Sequence, residues 1–433
     1  MTLTPLDGHI ARVTGVSPAR REAIEAYQLE KLRENMARAR AHSRFYHRRL
    51  AGVDPEGIGS FEDFRRLPFT YPEDIAAAPY DFLCVSPRDV SRIVTVSTSG
   101  TTGRPKRVFF TPEDQERTID FFRYGMSTFT SPGDTVFIGM PGKTPGSVGD
   151  LLAKGLTRLG CRVVPYGPIA DYMDALEVLE REGVTVLVGI PCQILSLARR
   201  QRRAGKRHNI HSVLLSADYI PAPSADILKD AWGADLYPHF GMTETGYGGA
   251  VACRALAGMH IREADLFLEI IDPESGAPLP EGAWGELVIT TLTREAMPLV
   301  RYRTGDLACI TSEKCPCGSE VRRLMGVAGR IAGGLAFSGG GRVTPQALDD
   351  ALWAEESVLG WSAALESSPE GEILRVTVEA EPFEEERLRR AVERALALPA
   401  GAGAPEITVR RGESGFFTTG TLKRTIIDLR RER

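Results

Sequence analysis

The spacing of apolar residues changes character along the chain. Between residues 20 and 50, Ile24, Tyr27, Leu29, Leu32, Met36, Ala39 and Tyr46 fall mostly three or four apart with arginines and glutamates between them, which predicts one amphipathic helix with a solvated face. Residues 51–90 are rich in prolines and predict short helices and loops. Two short strands follow, Ile93-Val94-Thr95-Val96 and Val108-Phe109-Phe110, and Thr111-Pro112-Glu113-Asp114 reads as a helix start. From 111 to 240 the period alternates: strands at 135–139, 162–165, 184–190 and 212–216, helices at 148–159, 172–182, 192–203 and 224–232. Short apolar strands separated by helices imply a buried parallel sheet, whose ligands bind beyond the carboxyl ends of strands. Ser216-Ala217-Asp218 and His239-Phe240-Gly241-Met242-Thr243-Glu244 occupy such places.

After 250 the pattern becomes strand-rich, with strands at 265–271, 284–290, 299–302 and 307–310, the last two interrupted by Thr304-Gly305-Asp306. Gly333-Gly334 and Gly339-Gly340-Gly341 read as a flexible joint. Beyond it come a helix at 344–355, strands at 360–366 and 372–380, a helix at 383–398 and a strand at 406–410. The expected fold class is α/β: a large N-terminal domain of parallel-sheet α/β layers (1–329) with a β-subdomain at about 250–328, then a small hinged α+β C-terminal domain (330–433).

Length and charge narrow the function. A chain of 433 residues is too long for one ordinary core, and a net charge of −4 offers no general attraction to nucleic acid or an anionic membrane. No stretch reaches the roughly 18 apolar residues a membrane span needs, and residues 1–10 do not resemble a signal peptide. The expectation is a soluble, cytoplasmic protein, with a homodimer as the candidate assembly, in which clustered cysteines are metal ligands rather than disulfides. Cys315-Pro316-Cys317-Gly318 is a tight turn with two thiols, and Cys253 and His260 stand earlier in the same β-subdomain. Three sulfurs and an imidazole suit a closed, structural tetrahedral zinc site. Cys309 is expected in a strand facing the core.

The most chemically suggestive stretch is Ser97-Thr98-Ser99-Gly100-Thr101-Thr102-Gly103-Arg104-Pro105-Lys106. Its glycines let the backbone turn inward, its hydroxyls and N–H groups can wrap an anion, and Lys106 adds a point charge, so it reads as a phosphate cradle. It is not a Walker A loop, because the lysine comes three residues after the last glycine and a strand follows.

Together with Phe240-Gly241-Met242-Thr243-Glu244, Tyr302-Arg303-Thr304-Gly305-Asp306 and Gly420-Thr421-Leu422-Lys423-Arg424, this loop resembles the acyl-adenylate-forming superfamily of acyl-coenzyme A synthetases and peptide-synthetase adenylation domains. The likeness is to its phenylacetate-coenzyme A ligase branch, through Ala26-Tyr27-Gln28-Leu29-Glu30, Phe45-Tyr46, and the run from Gly258-Met259-His260-Ile261-Arg262-Glu263-Ala264-Asp265 into Leu268-Glu269-Ile270-Ile271-Asp272. The resemblance implies a ligase that activates a small carboxylic acid, aryl or arylacetic, with MgATP and passes the acyl group to coenzyme A, releasing AMP and pyrophosphate. It implies that Ser99, Gly100, Thr101, Thr102, Gly103 and Lys106 grip phosphates and that Phe240 packs on adenine, with Gly241 and Met242 beside it and Ala217 and Asp218 lining the pocket. Thr243 would touch the α-phosphate, Glu244 would hold Mg2+, Asp306 would accept the ribose hydroxyls, and Arg330 would reach the nucleotide. Residues 138–147 and Tyr247-Gly248-Gly249 would shape the acid pocket, the glycines leaving room for a ring or an acyl tail.

The chain departs from the family pattern twice. Ala332 stands where relatives carry an Asp or Lys pivot, and Thr421 stands where many carry the adenylation lysine, so that role passes to Lys423. The alternatives keep adenylation and change the acceptor to a carrier protein, an amine or a cofactor hydroxyl as in coenzyme F390 synthetases. A further alternative is a non-catalytic nucleotide-binding relative.

Overall fold

The computed structural model describes residues 3–15, 19–96, 105–205, 207–369, 371–398, 403–413 and 424–430; Ser99–Gly103 and Lys423, with the roles expected of them, lie outside the described residues. The strands in chain order are β1 (Arg92–Val96), β2 (Lys106–Phe110), β3 (Thr135–Gly139), β4 (Arg162–Pro165), β5 (Val186–Gly189), β6 (Ser212–Leu215), β7 (Asp235–Phe240), β8 (Ala250–Ala252), β9 (Met259–Ile261) and β10 (Leu266–Ile271). They continue as β11 (Trp284–Thr291), β12 (Tyr302–Thr311), β13 (Arg323–Arg330), β14 (Leu335–Ala336), β15 (Arg342–Val343), β16 (Val358–Ser368), β17 (Gly371–Ala380), β18 (Glu406–Arg411) and β19 (Ile426–Asp428). Two compact units emerge: Met1–Pro132 with Lys143–Cys161 and Tyr237–Ile331, and Gly133–Gly142 with Arg162–Leu236 and Ala332–Arg433.

The first unit is built on antiparallel pairing. β10, β11, β12, β13, β9, β8 and β7 lie side by side in that order, and β1 and β2 form a separate hairpin. Aromatic rings fill its core, among them Tyr46, Phe64, Phe82, Phe109, Phe267 and Tyr302. The helix Pro112–Met126 starts with a capping box: Thr111 Oγ1 accepts from Asp114 N (3.1 Å) while Asp114 Oδ2 accepts from Thr111 N (3.0 Å). The helix Val148–Leu159 packs against it so closely that a Cβ on Gly155 would stand 2.9 Å from Ile119 O. Two stretches that carried the family likeness meet here. Gln28 Nε2 donates to Glu263 O (2.9 Å) and Leu266 O (3.1 Å), and Tyr27 OH donates to Ala264 O (2.9 Å), so the early helix is tied to the β9–β10 connection.

The second unit holds the parallel strands in the order β4, β3, β5, β6, with Tyr172–Glu182, Pro191–Ala204 and Ser224–Trp232 as the connecting helices. Its C-terminal part is a sheet ordered β18, β17, β16, β19, backed by Pro345–Trp353 and Glu385–Ala395. Arg199, buried on Pro191–Ala204, donates to the carbonyls of Trp353, Glu355 and Val358, and Trp353 is buried with Leu195 and Ala198. That arginine supplies acceptors at a helix end with the partners they otherwise lack.

The strands β3 to β6 and the helices between them stand within two residues of the sequence expectation, whereas four other readings need correction. The helix expected across 20–50 breaks at Ser43 into Arg21–His42 and Arg44–Arg49, because Ser43 turns extended and its hydroxyl caps the second helix at Tyr46 N. Residues 299–302 and 307–310 are not two interrupted strands: β12 runs unbroken from Tyr302 through Thr304-Gly305-Asp306, and Leu299 lies before it. The glycine-dense joint is a small hairpin of β14 and β15 with Phe337 buried in the C-terminal core. β8, β9, β13 and β19 were not expected at all; β8, β9 and β19 are three residues long, and β13 is diluted by Gly326 and Gly329.

His239, on β7, lies near the rings of Phe121 and Phe122, and burial pushes its pKa from 6.5 down to about 4. Between those values the unfolded chain takes a proton that the folded chain refuses, so stability falls as pH drops through this window. Denaturant midpoints at pH 7, 6 and 5 should therefore decline less steeply for His239→Asn than for the parent chain. Gly155→Leu should lower stability at pH 7 by about 1–3 kcal/mol in the same assay, through forced separation of the two helices.

Candidate active site

Hairpin register sets the first functional side chain. Lys106 opens β2 directly opposite Val96, so the segment joining the two strands begins and ends at one place, with Lys106 at its exit. Its side chain runs inward and is only 7 % exposed. There Nζ donates to Glu244 Oε1 (2.5 Å) and to Tyr302 OH (2.8 Å), and Tyr302 OH donates to Glu244 Oε1 (3.1 Å). Residues 138 positions apart in the chain thus close a triangle of charge-assisted hydrogen bonds.

Glu244 reaches this point on the one-turn helix Thr243–Thr245 that follows β7. The turn is held from several sides: Met242 N donates to Thr245 Oγ1 (3.1 Å), Arg294 Nη2 donates to Glu244 O (3.3 Å), and Thr118 Oγ1 donates to Gly246 O (2.9 Å). Gly241 is obligatory, because a Cβ there would lie 2.1 Å from Tyr247 O. Burial pushes the Glu244 carboxyl upward, but Lys106 outweighs it through charge and hydrogen bond, and the group stays below its ordinary range and ionised. Burial first, and then Glu244, pushes Tyr302 well above the usual phenol range, so it remains a donor.

Asp306 and Arg330 face each other across the β12–β13 ladder. Arg330 Nε lies 2.9 Å from Asp306 Oδ1 and its Nη1 donates to Thr304 O (2.6 Å), while Asp306 N donates to Thr304 Oγ1 (3.0 Å). Gly305, at φ +72°, supplies the left-handed residue that turns Asp306 within the strand. Phe240 is buried at the end of β7, with its ring against Gly249. In the second unit, Ala217 adopts φ +75° after β6. Asp218 next to it accepts from Tyr219 N (2.9 Å) and Arg424 N (2.8 Å), and the Arg424 guanidinium sits 5.1 Å over Trp361.

The glycines after Tyr247 do not leave the open space expected of them. A Cβ on Gly248 would meet Phe121 Cδ1 at 2.3 Å, and one on Gly249 would meet Phe240 Cδ1 at 2.9 Å, so both positions are occupied by aromatic rings. Tyr247, at φ +69°, stacks on Phe110 with centroids 6.0 Å apart. Two contributors went unassigned in the sequence. Tyr302 stood inside a quoted motif but its hydroxyl carried no role, and Arg294 carried no local signal at all.

Cys253, His260, Cys315 and Cys317 converge, all buried, with their ligand atoms within 4.8 Å of one another. Cys253 follows β8, His260 lies on β9 and the other two sit in the turn after β12, so three strands deliver the set. Cys253 and Cys315 sulfurs are 3.7 Å apart, far beyond a disulfide's roughly 2.05 Å. Cys317 Sγ is 3.6 Å from His260 Nε2. Tetrahedral zinc with bonds of about 2.3 Å to sulfur and about 2.0 Å to nitrogen requires edges of about 3.8 Å and about 3.5 Å. Burial, then Arg323, pushes His260 down to about 4, leaving the neutral imidazole that a metal needs. Cys309 is buried in β12 as expected.

Comparison with known proteins identifies the family. The sequence pattern of the family described as AMP-binding enzyme matches residues 69–293. A phenylacetate-coenzyme A ligase of Thermus thermophilus is 32% identical over 72% of this chain and 71% of its own length, and one of Aromatoleum evansii is 29% identical over 88% and 87%. Among solved structures, a 2-hydroxyisobutyryl-CoA ligase in the postadenylation state in complex with 2-HIB-AMP superposes with a TM-score of 0.79 at 22% identity, covering 95% of this chain and 90% of that one. The chain belongs to the AMP-binding enzyme family, within the acyl-adenylate-forming superfamily and its phenylacetate-coenzyme A ligase branch.

Proposed function

We propose that this chain, by its family an AMP-forming acid–thiol ligase, activates an aryl or arylacetic acid. The acid's carboxylate attacks the α-phosphorus of ATP and displaces pyrophosphate; the thiol of coenzyme A then attacks the acyl carbon and displaces AMP. One observation carries the reading. The lysine that ends the phosphate-gripping segment and the acidic residue of the Gly-x-Thr-Glu motif meet in one buried spot, at 2.5 Å, although neither is near the other in sequence. The names of the relatives supply the acid class.

In this reading Ser99–Gly103 and Lys106 hold the β- and γ-phosphates, and the ring of Phe240 packs on adenine with Gly241 and Met242 beside it and Ala217 and Asp218 lining the pocket. Asp306 accepts both ribose hydroxyls, released from or shared with Arg330, which itself reaches the nucleotide. Thr243 touches the α-phosphate. Glu244, a buried and ionised oxygen donor, fits a hard cation and would hold magnesium, which neutralises phosphate charge when bound. Lys423 stabilises charge building on the carboxylate and α-phosphate, and residues 330–433 move as a domain between the two half-reactions. The four-residue set at Cys253, His260, Cys315 and Cys317 holds structural zinc. Its closed ligand count leaves no position for catalysis. Seven cysteines without a disulfide among them fit a reducing, cytoplasmic setting.

Pyrophosphate exchange with a panel of aryl acids, followed by a thioester assay with coenzyme A, tests the function. Exchange without thioester would move the acceptor elsewhere, and failure of every acid to support exchange would overturn the reading. Lys423→Ala should slow exchange about a hundredfold while sparing thioester formation from a supplied adenylate. Metal analysis should return one zinc per chain, lost in Cys315→Ser together with several degrees of thermal midpoint.

A further inference from the structure

The triangle of Lys106, Glu244 and Tyr302 contains more than a phosphate lysine and a metal ligand that happen to be adjacent. Lys106 and Glu244 side chains are 8% and 3% exposed, so the carboxylate has almost no water to solvate it and depends on a cation in contact. Lys106 is that cation. The Arg294 guanidinium that approaches the same residue donates to its carbonyl oxygen and not to its carboxylate. The main chain of Glu244 is pinned by Arg294 and by the hydrogen bonds around Thr245 and Gly246, so any change of partner must occur at the carboxylate. Tyr302, fully buried on β12, holds both members at once, accepting from Lys106 (2.8 Å) and donating to Glu244 (3.1 Å).

We propose that Lys106 is the resident counter-ion of Glu244 before nucleotide binds, that it leaves for the phosphates when the carboxylate engages the nucleotide's magnesium, and that Tyr302 is the positioning residue that keeps Glu244 aimed through the exchange. The proposal rests on Glu244 as the magnesium residue. Its logic is charge conservation in a dry site: the carboxylate is never left without a cation, and Lys106 is released only when a replacement has arrived. A lysine suits this role because its charge sits on a four-carbon stem that can swing by a few ångströms while the strand stays in register.

Thermal midpoints separate this exchange from a static structural pair. Lys106→Met leaves Glu244 buried without a cation and should lower the midpoint of the nucleotide-free chain by about 5 °C. A saturating non-hydrolysable ATP analogue with magnesium should close most of that gap; the same analogue with chelator should not. An equal gap under both conditions overturns the exchange. The double variant Lys106→Met/Glu244→Gln should lose less than Lys106→Met alone, and a larger loss also overturns it. Tyr302→Phe, which removes one oxygen, keeps the question open to measurement if Lys106→Met does not fold. It should raise the free magnesium needed for half-maximal pyrophosphate exchange about fivefold, with most of kcat recovered at saturating magnesium. A lower kcat with unchanged magnesium dependence overturns the positioning role. Glu244→Gln alone tests the underlying assignment separately: if its exchange keeps the parent's magnesium dependence, Glu244 is not the magnesium residue.

Discussion

Burying a carboxylate costs several kcal/mol unless a cation and hydrogen bonds accompany it, and the first unit repeatedly meets that constraint. Glu244 meets it with Lys106 and Tyr302. Glu263, completely buried, meets it with Arg21 (2.6 Å) and Arg322 (2.8 Å), and Glu269 with Arg301 (3.0 Å). Asp265 is paired with Arg262 (2.6 Å) and Asp114 caps a helix while accepting from Glu295 N and Ala296 N. Where a single cation does this, as Lys106 does for Glu244 and Arg262 for Asp265, removing it leaves a buried charge uncompensated; Glu263, with two arginines, keeps one when the other is lost. The Lys106–Glu244 pair differs from the rest in one respect: its cation is on a lysine with a flexible four-carbon stem at the start of β2, whereas the arginine partners have planar forks already committed to several acceptors.

The same strands serve two sites. β12 carries Tyr302 into the Glu244 triangle and Asp306 toward Arg330, and the turn after it carries Cys315 and Cys317 to the cysteine–histidine cluster. β9 supplies His260, pairs with β8 and β13, and leads into the connection gripped by Gln28 of the early helix. A metal at the cluster would therefore fasten β8, β9 and the turn after β12, elements of the same sheet that carries Tyr302, which is the holding role that a closed ligand set serves.

Much of the second unit was legible in the sequence because its strands are apolar runs and its helices have polar caps and breaks: 135–139, 162–165, 172–182 and 224–232 stand where the periodicity puts them. The antiparallel strands were harder. β8 and β9 are too short to show a period, and β13 alternates through glycines, so neither pattern nor propensity marks them. β12 was split at Thr304-Gly305-Asp306 because that tripeptide is a turn by local rule, yet pairing on both sides keeps it in a sheet, with Gly305 absorbing the distortion. The glycines at 248 and 249 failed in the opposite direction. Read locally they promise space, but aromatic rings from distant segments fill it.

What the sequence by itself determined is the inventory: the Ser/Thr/Gly-rich segment ending in Lys106, the acidic residues Glu244 and Asp306, the thiols and imidazole of the cluster, and the order in which they occur, since motifs and spacings are one-dimensional quantities. What only the tertiary structure decided is the partnership. That Lys106 is buried against Glu244, that Tyr302 joins them, and that four soft ligands separated by as many as 64 positions come within 4.8 Å follow from strand register and packing between remote segments, which no local pattern encodes.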